Sequence, residues 1–307
     1  MLFEEQIIHN KRTSLLLIFI FIVFVSSIGF VFGFAIGKSP GAGYVGIGAA
    51  FTIAVIMTAV AYWGGKDVIM GVSRAKKVDK RFNQQLFNIV EEMAIASGQP
   101  VPEIYVINDS APNAFATGRD PRHSAIGVTT GLLDKLDRDE LSGVVGHEMA
   151  HIKNYDIRYM LLAGILVGVV ALMSDFMLRY FWHGGLMRGR RSNSSKGGGA
   201  VQLVMLVLAL VLAVLAPLFA LILQFAVSRK REYLADASSV QFTRNPEGLA
   251  KALEKISGDT DPLEAANRAT QHLYIVNPLK ARGGYERSSI FSTHPPISER
   301  IRRLREM

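Results

Sequence analysis

The sequence predicts an α+β chain: a multi-pass α-helical membrane protein that carries a mainly helical soluble domain with a small β-sheet. Three observations predict it. Of the 307 residues, 50% are hydrophobic and 20% charged, too apolar for an ordinary soluble chain of this length. The excess sits in runs without a charged residue, Thr13 to Gly37, Ser39 to Gly65 and Gly197 to Ser228. Each is longer than the roughly 20 residues a helix needs to cross about 30 Å of hydrocarbon. Outside the runs, helical spacings alternate with short β-prone segments, the pattern of a folded domain in two pieces.

Residues 1–12 are a short polar lead. The first two runs make up residues 13–65 and are joined by Lys38-Ser39-Pro40-Gly41, too short for more than a tight turn, so they predict an antiparallel transmembrane hairpin. Lys11 and Arg12 give the first run the flank of a signal peptide, but its apolar part is too long and no small-x-small cleavage site follows. It reads as a retained anchor. Lys66, Arg74, Lys76, Lys77, Lys80 and Arg81 follow the hairpin, against Lys38 alone in its turn. The positive-inside rule therefore puts the N-terminus and the chain after Lys66 in the cytoplasm.

Residues 66–158 form the first part of the soluble domain. Phe82, Leu86, Ile89, Val90 and Met93 recur at helical spacing, and Ser97-Gly98-Gln99-Pro100 ends that helix. Ile104–Ile107, Ala114–Thr117 and Ala125–Thr129 are β-prone and separated by turn compositions, which predicts a small sheet. Ala125–Thr129 is the strand expected to offer a free edge to an extended peptide. Residues 159–228 predict a second membrane hairpin. Its first run, Tyr159 to Ser174, or to Leu178 if Asp175 is admitted, also suits a buried or interfacial helix; Pro217 should kink its second. The basic segment 179–199 between them has the composition of a flexible linker. Residues 229–307 complete the soluble domain with helical patterns at Pro246–Ser257, Pro262–Leu273 and Ile297–Arg305.

The chemistry centres on His147-Glu148-Met149-Ala150-His151. Imidazoles four residues apart share one helix face and can reach one ion, and the glutamate beside the first can hold a water that the ion activates. The same letters also fit a solvated face. Asp137, Asp139 and Glu140 ahead of the run suit a helix N-terminus, and Leu141, Val144, Val145 and Met149 give an apolar stripe, which favours the metal reading. With no cysteine in the chain, an ion must be held by His, Asp or Glu. A catalytic zinc takes three protein donors, and Glu232 offers the third. Glu232 and Asp236 share a helix face, so one carboxylate can ligate while the other accepts the spare N–H of a ligand imidazole. The net charge of +8 suggests anionic headgroups more than nucleic acid, because the basic residues cluster at the ends of the apolar runs. A shared ion also constrains topology. His151 and Glu232 meet only if the chain between them crosses the membrane an even number of times.

In order along the chain stand His147-Glu148-Met149-Ala150-His151, Asp156, Glu232 with Asp236, and Ser292-Thr293-His294-Pro295-Pro296 with Ile297 and Arg300. This order resembles the membrane zinc endopeptidases of the HtpX type, prokaryotic relatives of the Ste24 CAAX protease. The resemblance implies a gluzincin-like catalytic domain, one zinc ion per chain, and a multi-pass place in the cell membrane with the site facing the cytoplasm. It also implies that the substrates are damaged or misfolded membrane proteins. By the resemblance His147, His151 and Glu232 bind zinc, Glu148 is the general base, and Asp236 supports a ligand. Asn113, Ala114 and Phe115 border the substrate groove, and His294 and Arg300 lie across the site to stabilise an oxyanion. Two alternatives remain on the residues themselves. One is a processing protease for a lipidated or signal-bearing substrate, with the same site. The other is a membrane scaffold with a structural zinc, against which Glu148 stands, since a structural ion has no use for a base.

Overall fold

The computed structural model describes residues 3–37, 39–180, 229–264, 273–276 and 295–307. The chain forms two compact units, one of residues 1–13, 63–164 and 223–307, the other of residues 14–62 and 165–222.

Two helices run through the predicted hairpin, α1 (Phe3–Gly37) and α2 (Pro40–Val72). Both are long and apolar enough to cross a membrane. The lead at residues 1–12 is not a separate segment: helix α1 begins at Phe3 and continues through it. In the second unit the two helices approach through glycine. A Cβ at Gly29 would lie 2.5 Å from the Gly46 carbonyl oxygen, and one at Gly33 would lie 2.4 Å from that of Ala42. This is small-residue packing of the kind that lets apolar helices associate where burial from water gives no drive. Helix α6 (Asp156–Tyr180) covers the third apolar run; the fourth run and Pro217 lie outside the described residues, as does the linker from residue 181 onward.

The other unit holds a four-stranded sheet and the helices packed against it. After β1 (Lys76–Lys77), Asn83 caps α3 (Gln84–Ser97) by accepting from the Leu86 N–H, and Gly98 closes it in the left-handed region at φ 70°. Phe82, expected on this helix, lies before the cap and is half exposed. Strands β2 (Glu103–Ile107), β3 (Ala114–Gly118) and β4 (Ser124–Thr129) follow, with the order β1-β2-β4-β3. Strand β4 pairs in parallel with β2 and antiparallel with β3, so its backbone groups are engaged on both sides. The expectation that 125–129 offers a free edge is therefore wrong, and among the described strands β3 is the outermost on that side. Helix α4 (Thr130–Lys135) leads to α5 (Arg138–Lys153), and beyond the apolar excursion stand α7 (Arg229–Thr243), α8 (Pro246–Gly258) and α9 (Ile297–Arg305). The helical pattern expected from Pro262 is not realised at residues 262–264, and its middle, 265–272, lies outside the described residues.

Helix α5 is the centre of this unit. Leu141, Val144, Val145, Met149 and Ile152 are buried in one core with Leu86, Ile89, Leu249 and Leu253. Each such side chain contributes roughly 1.5–3 kcal/mol of burial free energy. Glycines set the distances to its neighbours. A Cβ at Gly143 would lie 2.7 Å from the Leu249 nitrogen of α8, and one at Gly146 would lie 2.9 Å from Ser239 Oγ of α7. The Ser239 hydroxyl donates to the Gly143 carbonyl at 2.7 Å. Helix α7 thus lies close against the helix that carries the histidines.

Candidate metal centre

The site begins with the start of α5. Asp137 accepts from the N–H groups of Asp139 and Glu140, and Glu140 accepts from the Asp137 N–H, a capping box that fixes the first turn. Three turns on, His147 and His151 lie on the buried side, with Nε2 atoms 3.2 Å apart. On α7, Glu232 and Asp236 share a face with Ser239, so the close approach at Gly146 brings both carboxylates to the imidazoles. Glu232 Oε2 is 3.8 Å from His147 Nε2, and its Oε1 is 3.6 Å from His151 Nε2.

Each imidazole is fixed from behind. Asp236 Oδ1 is 3.0 Å from His147 Nδ1, and Asp156 Oδ2 is 3.0 Å from His151 Nδ1. A carboxylate at Nδ1 selects the tautomer with the proton there, so both Nε2 lone pairs and the Glu232 carboxylate converge on one point. Such a convergence of acceptors in a buried site calls for a cation. The fit is geometric as well: ligand atoms about 2.0–2.1 Å from a tetrahedral zinc stand about 3.3–3.4 Å apart, and the observed separations run from 3.2 to 3.8 Å. Three protein donors of this kind are the set of a catalytic zinc with one position open.

Arginines balance the supporting carboxylates. Arg300, expected across the site as an oxyanion donor, is wholly buried on the Nδ1 side of His147. Its Nε and Nη2 donate to the two oxygens of Asp236 at 2.9 and 2.7 Å, its Nη1 donates to the Ile275 carbonyl, and Glu232 Oε2 is 3.4 Å from Nη1. Arg231 stands 3.6 Å from Asp156. Burial would raise the Asp236 carboxyl, but the charge of Arg300 and the hydrogen bonds from His147 and Arg300 hold it below its usual range.

Glu148 is buried beside the donors. Burial, with the charge of Glu232, lifts its carboxyl to about 7 against the opposing charges of His151 and Arg300 and the hydrogen bond from the Ala116 N–H. Burial pushes His147 down. It pushes His151 down too, but the hydrogen bond to Asp156 and the charges of Glu232, Asp156 and Glu148 outweigh it and raise that imidazole to about 9.

Asn113, Ala114 and Phe115 stand at the start of the edge strand β3, the strand whose Ala116 reaches Glu148. Their outward groups are engaged by the same chain: the Ile275 N–H donates to the Ala114 carbonyl at 3.0 Å, and the Asn113 side-chain amide donates to the Val276 carbonyl at 2.9 Å. The ring of Tyr274 meets Phe115 edge-on at 5.0 Å. His294 lies outside the described residues. The place of Asp156 behind His151 is not evident from the sequence, although its five-residue spacing from that histidine is a signal that could have found it. For Asn10, which donates to Asp156 at 2.7 Å, the sequence gives no signal at all.

Comparison with known proteins places this arrangement. Over the whole of their length or nearly so, curated proteins named "Protease HtpX homolog" are similar to this chain. The one from Dictyoglomus thermophilum is 45% identical over 99% of this chain and 95% of its own. The one from Listeria innocua is 43% identical over all of both chains, and the one from Lactobacillus helveticus is 41% identical over 99% of each. A crystal structure of S. mikatae Ste24p aligns with 90% of this chain and 62% of its own, at 19% identity and a TM-score of 0.47. The profile described as peptidase family M48 matches residues 80–307, which contain the two histidines, Glu148, Glu232 and both supporting aspartates. The chain belongs to peptidase family M48 and is a metallopeptidase.

Proposed function

We propose that the chain is a zinc-dependent endopeptidase of the cell membrane that cleaves damaged or misfolded membrane proteins on the cytoplasmic side. The observation that carries the reading is the convergence of His147, His151 and Glu232 within 4.8 Å of one another, with Glu148 buried beside them. Zinc held there would supply a Lewis acid for the scissile carbonyl and a source of hydroxide near neutral pH. Glu148 takes the proton of the attacking water and passes it to the leaving amine. Asp236 and Asp156 hold the two imidazoles, and Arg300 keeps Asp236 and Glu232 in place. His294 is the proposed donor to the oxyanion. A substrate strand laid along β3 competes with Ile275 and Val276 for the Ala114 carbonyl and the Asn113 amide.

The membrane setting is supported by α1 and α2, and the cytoplasmic side by the basic residues that follow them. The resemblance to HtpX-type proteases supports the substrate class. The test is Glu148→Gln beside the wild type, purified in detergent, with casein as unfolded substrate and zinc measured in both. The variant should keep one zinc per chain and lose cleavage by about 10²–10⁴-fold, the worth of a positioned base. Cleavage at the wild-type rate would remove Glu148 as the base. Zinc without cleavage of any unfolded protein by the wild type would shift the reading to a narrow processing enzyme.

A further inference from the structure

The base of α1 reaches the metal centre. Asn10 is wholly buried, and its side-chain amide nitrogen donates to Asp156 Oδ1 at 2.7 Å and to the Asn154 carbonyl at 2.8 Å. The other oxygen of Asp156 is the one that faces His151 Nδ1. A chain of two contacts thus runs from a turn of α1 just ahead of its apolar run, through one carboxylate, to a proposed metal ligand. The local backbone is built for it. Asn154 caps α5, Tyr155 takes a left-handed φ of 60°, and α6 starts at once at Asp156, which folds that carboxylate back toward His151. The left-handed residue costs about 1–2 kcal/mol. Lys11 of α1 and Arg158 of α6 lie over the Tyr155 ring at 4.3 and 4.9 Å, so the junction is held by a cation from each helix.

We infer that Asn10 is a positioning residue for the metal site: it holds Asp156 in the orientation that fixes His151, and so couples the seating of α1 to metal affinity. The inference rests on the reading of His147, His151 and Glu232 as zinc donors. Its physical basis is that a carboxylate behind a ligand imidazole sets the ring's tautomer and direction, and that loss of such support weakens metal binding by about 10–100-fold. Arg231 lies 3.6 Å from the same Oδ1, so without the Asn10 amide that oxygen is drawn toward the guanidinium and the carboxylate turns away from the ring.

The experiment measures zinc affinity by chelator competition on the detergent-purified whole chain for the wild type, Asn10→Ala, Asp156→Ala and the double variant. Asn10→Ala should loosen zinc about tenfold. In the Asp156→Ala background the same substitution should change affinity by less than about twofold, because the group it acts through is gone. If Asn10→Ala does not fold, Asn10→Leu keeps the packing volume without the amide and takes its place. An affinity within twofold of the wild type in the Asn10 variant overturns the inference, and so does an equal loss in the Asp156→Ala background. Zinc bound by the wild type with either of those results leaves the metal site standing without this contact; no zinc in the wild type removes both.

Discussion

Glu148 and His151 make the protein's stability depend on pH in a direction that the geometry dictates. Both titrate higher folded than free: Glu148 at about 7 against an ordinary 4.5, and His151 at about 9 against 6.5. A raised folded pKa gives stability that is complete below the unfolded value and disappears as pH rises through the folded one. For Glu148 the loss runs from about 4.5 to 7, and for His151 from about 6.5 to 9. The depressed His147 opposes this loss below about pH 6.5, so protein stripped by a chelator should melt at progressively lower temperature from about pH 7 to pH 9. Zinc uptake requires His151 to shed its proton, so the gain in melting temperature on returning zinc should grow over the upper part of that range. A gain that is flat between pH 6.5 and 9 would contradict the assignment of His151. At this scale the sequence shows which groups are present but not their charge states, because those follow from burial and from partners distant in the chain.

Among the elements, α5 and its glycines decide whether the site exists. Its N-terminus was legible in Asp137, Asp139 and Glu140, and its buried stripe as Leu141, Val144, Val145 and Met149. Its neighbours were not legible, since nothing local says that Gly143 faces the backbone of α8 or Gly146 the Ser239 hydroxyl of α7. Gly143→Ala puts a methyl 2.7 Å from the Leu249 nitrogen and 2.8 Å from its Cα, and backbone does not yield as a flexible side chain does. The substitution should cost about 1–3 kcal/mol, more than the gain in helix propensity returns. Thermal melting of the purified variant would register it, and a melting temperature equal to that of the wild type would mean that the two helices are not in such close contact. The sheet gives the complementary lesson. The sequence located β2, β3 and β4 to within a residue, but strand order is a long-range property, and the edge fell to β3.

For the whole molecule, the prediction concerns orientation. The chain has no cysteine, so single cysteines report cleanly. Gly41 opens α2, and a Cβ there meets nothing nearer than Ser39 Oγ at 4.0 Å. Gly41→Cys should react with an impermeant thiol reagent added to intact cells, whereas Arg81→Cys, among the basic residues after α2, should react only after permeabilisation. The reverse pattern would turn the protein around in the membrane and move the proposed site to the other face.

By itself the sequence determined the family, the apolar runs and the donor types, because these depend on residue identity, spacing and order along the chain. His147, Glu148 and His151 lie within little more than one helical turn, so the 3.6-residue period alone brings them together. The tertiary structure decided everything that depends on distance through space. It set Glu232 and Asp236 against the histidines by a glycine contact, turned Arg300 inward onto Asp236, and engaged the outward groups of β3 at Ala114. It also joined Asn10, in the short polar lead, to Asp156, 146 residues further along the chain. Contacts of that span leave no periodic trace in sequence, since a buried polar pair is specified only by the fold that brings its two members together.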